Sequence, residues 1–448
     1  LIYTIKASIL GKAGIQTLEL FIPLPEEIPG RQISLTCMRS AVQPILATGI
    51  IIFTGFLFGE LARRVKLPKI TGYIIAGLLL NPRVLHIVPK EFVGHTDLIT
   101  NIALAFIAFS VGGSIFFPRL KNLGKGIIYI TVFEAEFAFF AVAAGFIGLS
   151  PLLLRSESGS WLSLYIPLGI LLGSLAAPTD PSATLAVVHQ YNTKGEVTST
   201  VLGVAAFDDV FGIINYSFSM VVAGVLILHR GFSFYSTLLI PLVSILGSLL
   251  LGAAFGFVFN FITRFLKKET EGVYIVVIIG LLAACFGVAQ LVRVDQLLST
   301  MAMGIVVVNL NRKKDLVFTI LTRYTEELIF VLFFTISGMY LNFAVMAKTP
   351  FLILIFVILR AAGKMSGTLT GAHISNSPPQ VKRYTSGGLL PQGGIVVGLA
   401  LLIKQNPSFS HISDILLNVI LGATVIHELF GPVLAKRSLR KAGEIGDH

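Results

Sequence analysis

The sequence predicts an all-α membrane protein of 13 transmembrane helices, arranged as an inverted repeat of six spans with crossing broken helices. Three observations carry that expectation. The chain is 54% hydrophobic and only 13% charged, with a mean hydropathy of +0.85. Its apolar runs are separated by loops whose charge alternates from one side to the other. Two of the runs are interrupted by proline at corresponding places in the two halves. A soluble domain of 448 residues has no use for so much apolar surface, so lipid must solvate it.

Crossing a bilayer takes about 20 apolar residues as a helix. Runs near that length lie at 41–60, 68–82, 98–118, 126–148, 162–189, 197–228, 235–263, 272–291, 295–310, 325–346, 350–373, 384–403 and 412–434, with 68–82 and 295–310 short. Alternate loops hold 21 Lys and Arg, from Arg63 and Arg64 to Arg440 and Lys441. The opposite loops hold only Arg83, Lys90, Arg155, Arg230, Arg293, Lys348 and Lys404. The positive-inside rule then places the N-terminus outside and the C-terminus in the cytoplasm. It also removes nucleic acid as the reason for the net charge of +11, since the basic residues sit in short inter-span loops.

Residues 1–40 read as an N-terminal extension to which the sequence assigns no role. They open on Leu1 and mix Lys6, Lys12, Glu19, Glu26 and Glu27 with prolines, unlike a signal peptide. Residues 41–435 read as the transmembrane domain: repeat one at 41–228, a connector span at 235–263, and repeat two at 272–435. Residues 436–448 form a basic cytoplasmic tail. Cys37 and Cys285 are far apart and fit no metal-ligand spacing.

The repeat rests on three motifs in the same order. Ala108-Phe-Ser-Val-Gly-Gly-Ser-Ile resembles Phe334-Thr-Ile-Ser-Gly-Met-Tyr-Leu at an offset of 226 residues, which lays Glu134 on Arg360. Ala177-Pro-Thr-Asp-Pro parallels Leu390-Pro-Gln-Gly-Gly, and Phe207-Asp-Asp-Val-Phe-Gly parallels Ile426-His-Glu-Leu-Phe-Gly. Six spans plus an odd connector put the halves in opposite orientations, and such repeats place the site at broken helices near the midplane. Pro178 with Pro181, and Pro391 among clustered glycines, cannot sit in unbroken helices. Backbone groups freed at that depth must line a cavity.

Six carboxylates fall inside spans: Glu134, Glu136, Asp180, Asp208, Asp209 and Glu428. So do two cations, Arg360 and Lys364, four apart on one helical face. A charge at membrane depth costs a few kcal/mol or more, so the adjacent pair Asp208-Asp209 calls for a water-filled cavity, a bound cation, or protons. A protein that supplies all three in turn is a cation/proton exchanger. Asp180, beside Thr179 in the break, offers the carboxylate, hydroxyl and carbonyl oxygens that hard cations prefer. Glu134 and Glu136 point to different sides of their helix, and at least one needs a cationic partner. Glu428, with His427 near the end of its span, reads as a packing or interfacial residue. Trp161 reads as an outer-interface anchor. Gly-xxx-Gly spacings begin at Gly55, Gly169, Gly252 and Gly394 and allow close helix approach.

With Gly59-Glu-Leu-Ala-Arg-Arg-Val-Lys-Leu-Pro-Lys-Ile-Thr-Gly at the front, these motifs resemble the monovalent cation/proton antiporter superfamily over residues 41 to 435. The second branch, of bacterial sodium/proton and potassium-efflux antiporters, is the more similar. The resemblance implies a homodimer in the bacterial inner membrane, each protomer split into a dimerisation bundle and a moving six-helix core. It implies that Asp209 binds the ion and that Asp208 pairs with a cation on the eleventh span. Arg360 matches that cation's position best, with Lys364 as the fallback and Glu134 as a second partner for Arg360. Relatives carry lysine there, which can shed its proton, whereas an arginine effectively cannot. An Asp208 held by Arg360 would leave Asp209 as the main titrating group and favour electroneutral exchange, whereas the Asp-Asp pair, by the resemblance, implies two protons per sodium.

The function expected is exchange of a monovalent cation, Na⁺ first, for H⁺ by alternating access, with Na⁺ at Asp209 and Asp180. The alternative is a potassium/proton antiporter or gated potassium-efflux pathway on the same scaffold. Phosphate loops, metal clusters and nucleophile triads are missing from the sequence, so neither an enzyme nor a cofactor is expected. The partners expected are lipid, the monovalent cation, the proton and a second copy of the chain, with no nucleic acid.

Overall fold

The computed structural model of the chain describes residues 44–65, 69–85, 87–118, 124–154, 160–180, 193–227, 239–265, 271–341 and 350–445, with 184–185, 187–188 and 191. The expected N-terminal extension, Cys37, Pro181 and the loop residues Lys66, Arg119, Lys121, Arg155, Arg230, Lys267, Lys268 and Lys348 lie outside that set.

The described residues form helices and turns, with no strand. In chain order they are α1 (Pro44–Arg64), α2 (Lys69–Leu80), α3 (Asp97–Ser114), α4 (Gly124–Leu153), α5 (Trp161–Ser174), α6 (Glu196–Ala205), α7 (Asp208–Ile227), α8 (Ile240–Phe265) and α9 (Glu271–Leu291). The second half continues with α10 (Gln296–Leu310), α11 (Lys314–Tyr324), α12 (Glu326–Met339), α13 (Pro350–Ile374), α14 (Pro379–Gly388), α15 (Gly394–Gln405) and α16 (Ser410–Lys441). Every apolar window of the sequence contains a helix. Among the described residues, eight helical segments, α6 and α7 counting together, are long and apolar enough to cross a membrane by length and composition. Segments such as α2, α5, α10 and α15 are apolar but shorter.

Four boundaries differ from the sequence reading, each for a local reason. Helix α5 stops at Ser174, and residues 175–180 run unwound, because Pro178 cannot continue it. The window 197–228 is interrupted by a turn at 206–207, so Asp208 and Asp209 open α7 rather than sit inside a continuous helix. An amphipathic helix, α11, lies between the ninth and tenth windows. Helix α16 runs 32 residues to Lys441, through the 435/436 boundary drawn from composition.

The core is organised around α4 and α13, which pack along much of their length. Gly363, Gly367 and Gly371 recur every fourth residue on α13. A Cβ at each would meet the α4 backbone, at Ala138, at Phe133 and Glu134, and at Ile130 respectively. Such small-residue stripes let membrane helices approach closely, and this one sets Glu134 against Lys364. On the periphery, α8 turns Leu246, Leu250, Phe257 and Phe261 outward, as a lipid-solvated surface requires.

Candidate functional site

The two unwound segments meet. Residues 175–180 follow α5, residues 389–393 separate α14 from α15, and the backbone N–H of Asp180 donates to the carbonyl of Pro391 at 3.1 Å. Gln392 Nε2 donates to the carbonyl of Leu175 at 2.7 Å, and Thr184 Oγ1 to that of Gly388 at 2.8 Å. Each break thereby satisfies groups the other leaves open, which is what irregular backbone at membrane depth needs.

Arg360 ties the crossing together. Its guanidinium donates to the carbonyls of Ala176 at 3.0 Å, Pro178 at 2.7 Å, Leu390 at 2.7 Å and Pro391 at 3.3 Å, two from each break. These carbonyls lie just beyond the C-terminal ends of α5 and α14, where helix dipoles place negative partial charge. A planar five-donor fork serves such an array, which a point-charge ammonium does not. The expected pairing of Arg360 with Asp208 is therefore corrected: among the described residues Arg360 forms no ion pair with a carboxylate.

One turn along α13, Lys364 takes that place. Its ammonium donates to Glu134 Oε1, to Thr179 Oγ1 at 2.7 Å and to Asp208 Oδ2 at 3.3 Å, using its three protons. Thr179 Oγ1 in turn donates a hydrogen bond to Asp208 Oδ2. Glu134, Asp208, Arg360 and Lys364 are all fully buried. Glu136 faces away from this network and accepts from Asn215 Nδ2 at 3.2 Å.

Asp209, the next residue on α7, is placed differently. It has no ion pair among the described residues and keeps 9% exposure where Asp208 has none, although the Oδ1 atoms of both aspartates are buried without a hydrogen bond there. Asp180, at 7%, is the other carboxylate of the group that keeps some exposure. The aspartates are brought here by a close approach: a Cβ on Gly212, one turn beyond Asp209, would strike the ring of Pro178. Gly431 stands in the same relation to Pro391, and one turn before it is Glu428, fully buried.

Glu428, read from the sequence as a packing or interfacial residue, lies at the crossing. Its carboxylate borders the same point beside Gly393 as Asp180 Oδ2 does. A signal existed: Glu428 precedes Gly431 by the spacing that separates Asp209 from Gly212. Counting a span to residue 434 placed Glu428 near a helix end, whereas it lies near the middle of a helix ending at Lys441.

Among the described residues, five carboxyls (Glu134, Asp180, Asp208, Asp209, Glu428) and two basic side chains (Arg360, Lys364) gather at the crossing. Charge at such depth is costly unless it is paired or neutralised. Among the described residues there is no group of three His, Cys, Asp or Glu placed to hold a metal ion. The oxygens available are carboxylates, the Thr179 hydroxyl and break carbonyls, a set suited to hard cations.

The fold resembles that of the sodium proton antiporter MjNhaP1 from Methanocaldococcus jannaschii, with a TM-score of 0.70 and 20% identity, covering 90% of this chain and 98% of that one. A Na(+)/H(+) antiporter of Enterococcus hirae is 23% identical over 401 residues, covering 87% of this chain and 97% of the relative. Na(+)/H(+) antiporter 1 of M. jannaschii is 26% identical over 170 residues, a stretch that spans only 37% of that relative's length. The family model described as sodium/hydrogen exchanger, transmembrane, matches residues 49–437, and the chain belongs to that family.

Proposed function

We propose that this protein is a secondary antiporter that exchanges sodium for protons by alternating access, with Asp209 as the group that holds cation and proton in turn. The observation that carries this reading is the contrast within the aspartate pair. Asp208 is sealed, and its Oδ2 accepts from Thr179 and Lys364, whereas among the described residues Asp209 has no ion pair and keeps a little exposure. A carboxylate so placed must take its counter-charge from solution. Thr179 and Asp180 complete the ion site in this reading, and the names of the relatives from E. hirae and M. jannaschii support sodium as the ion.

The same reading takes the chain as 13 spans, N-terminus outside and C-terminus in the cytoplasm, forming a homodimer in a bacterial inner membrane. The matched contacts of Gly212 with Pro178 and Gly431 with Pro391 support an inverted repeat. Lys364, not Arg360, is the fixed partner of Asp208. Because Glu134 shares Lys364, loss of Asp208 to an ion would leave the ammonium still paired. That favours one proton per sodium and electroneutral exchange.

The test is reconstitution in vesicles with a preset proton gradient, followed by addition of Na⁺, Li⁺, K⁺ or Rb⁺. Sodium and lithium should collapse the gradient. Dissipation by potassium alone, or cation flux indifferent to the proton gradient, would overturn the reading.

A further inference from the structure

We propose that Glu444 is a positioning residue for the aspartate pair: by holding the start of α6, it sets where Asp208 and Asp209 stand at the crossing. This rests on the antiport reading above and adds to it a residue remote from the ion site.

Helix α6 has no cap of its own. Gly195, the residue before it, offers no side chain to the N–H groups that open a helix without intrahelical partners. Glu444 supplies that cap from 247 residues beyond Val197. Its Oε1 accepts from the backbone N–H of Val197 at 2.8 Å. Its Oε2 accepts from the backbone N–H of Thr198 at 2.8 Å and from Thr198 Oγ1 at 2.6 Å. A carboxylate suits the positive end of the helix dipole, and hydrogen bonds to it are of the stronger, charge-assisted kind. Glycine at 195 is what admits it, because a Cβ there would sit 2.2 Å from the carboxylate. The usual capping residues would exclude Glu444.

The approach of Glu444 is built into the end of α16. Gly443 takes a φ of +76°, the left-handed conformation that turns the chain back. The N–H of Glu444 then donates to the carbonyl of Leu439 at 3.0 Å, and that of Gly443 to Arg440 at 3.0 Å, the Schellman pattern of helix closure. Leu439, Ala442 and Ile445 are buried in one apolar cluster with Val197 and Val201 of α6 and Val381 of α14. Ser438 Oγ donates to the carbonyl of Tyr384 on α14 at 2.5 Å.

Both short helices held by this end lead to the crossing. Helix α6 has ten residues, and after the turn at 206–207 come Asp208 and Asp209. Helix α14, also ten residues, ends at Gly388, where the second break begins. A Cβ on Gly388 would meet the Val201 side chain of α6 at 2.7 Å, so the two helices are closely packed. A helix of ten residues spans about 15 Å and is marginal on its own, so packing at its ends decides where it lies. Apolar contacts are non-directional and allow sliding. The three directed bonds of Glu444 fix the register of α6 and, through the turn, the depth of the aspartates.

The experiment compares wild type, Glu444→Ala and Glu444→Gln, purified and reconstituted, at one alkaline pH. The readouts are the sodium KM, the rate at saturating sodium, and the melting temperature in detergent. Glu444→Ala should raise the sodium KM about fivefold, worth about 1 kcal/mol of cation binding, while the saturating rate stays within about twofold. Glu444→Gln has one oxygen for the two backbone donors and should raise the KM about threefold. A contact that served only the fold would lower the melting temperature and leave the KM alone. A sodium KM in Glu444→Ala within about 1.5-fold of wild type would therefore overturn the proposal, whatever the melting temperature. If Glu444→Ala is not monodisperse, Glu444→Gln decides by the same limit. Failure of the antiport reading would look different: wild type itself would not exchange sodium for protons.

Discussion

In the first half of the chain, the break at 175–180 meets α7 where Pro178 lies against Gly212; in the second, the break at 389–393 meets α16 where Pro391 lies against Gly431. Each glycine follows an acid by three residues, Asp209 in one case and Glu428 in the other. The side chains around these matching contacts differ. The first half places Thr179, Asp180 and Asp208 at its break, and the second places Gln392, Gly393 and His427. The backbone device, a proline-broken helix clasped by a glycine, is thus separable from the chemistry mounted on it. Charge is concentrated on one side, and the other side contributes room, amide donors and a single carboxylate. Helix α13 mediates between them, with Arg360 on the backbone of both breaks and Lys364 on the carboxylates of the first.

The largest effect should come from Asp209→Asn, which keeps the shape of the side chain and removes its charge. Cation-driven proton movement should fall to the background of empty vesicles while the protein remains monodisperse, and full activity would break the assignment. Arg360→Ala should act on the fold instead. Leaving several buried carbonyls without donors costs about 1–3 kcal/mol each before relaxation, so folded protein should be mostly lost. Arg360→Lys should fold with reduced thermal stability in detergent, because one ammonium cannot serve both breaks. If Arg360→Lys is as stable as wild type, the stapling role is wrong.

Gly212→Ala and Gly431→Ala sharpen the comparison directly. Each methyl would press on a proline ring, and overpacking of this kind typically costs about 1–3 kcal/mol. The two variants should lose similar amounts in denaturant unfolding. A large cost at one and none at the other would show that the two clasps are not equivalent. The smallest expected signal is electrical. With Lys364 held between Glu134 and Asp208, sodium uptake by wild type should carry no net charge and should not respond to an imposed membrane potential. A potential-driven current would show that a second proton moves.

Much of this was legible in the sequence, and what was not has physical causes. Pro178 with Pro181, and Pro391 among its glycines, located both breaks, because such clusters disfavour a continuous helix, and the alternation of apolar runs located the helices. The partner of Asp208 was misassigned because Arg360 and Lys364 share a helical face. Only the register of α13 on α4 decides which of them reaches the carboxylates. That register had a sequence signal in Gly363, Gly367 and Gly371, whose spacing marks the contact face. The turn at 206–207 lacks proline and glycine, so only the Asp at the start of the following helix hinted at it. Glu428 reads as a packing or interfacial residue because span counting from hydropathy ends a helix where its apolar character ends, and α16 continues beyond that point.

The central claim is that one carboxylate, Asp209, takes sodium and proton in competition. The most direct measurement is the sodium KM of the reconstituted protein across a range of pH. As pH falls, protons occupy Asp209 more often, so apparent sodium affinity must weaken, by up to about tenfold per pH unit for one competing proton. The account predicts a sodium KM that rises steadily from alkaline to acid pH. A sodium KM that stays flat across that range would contradict it.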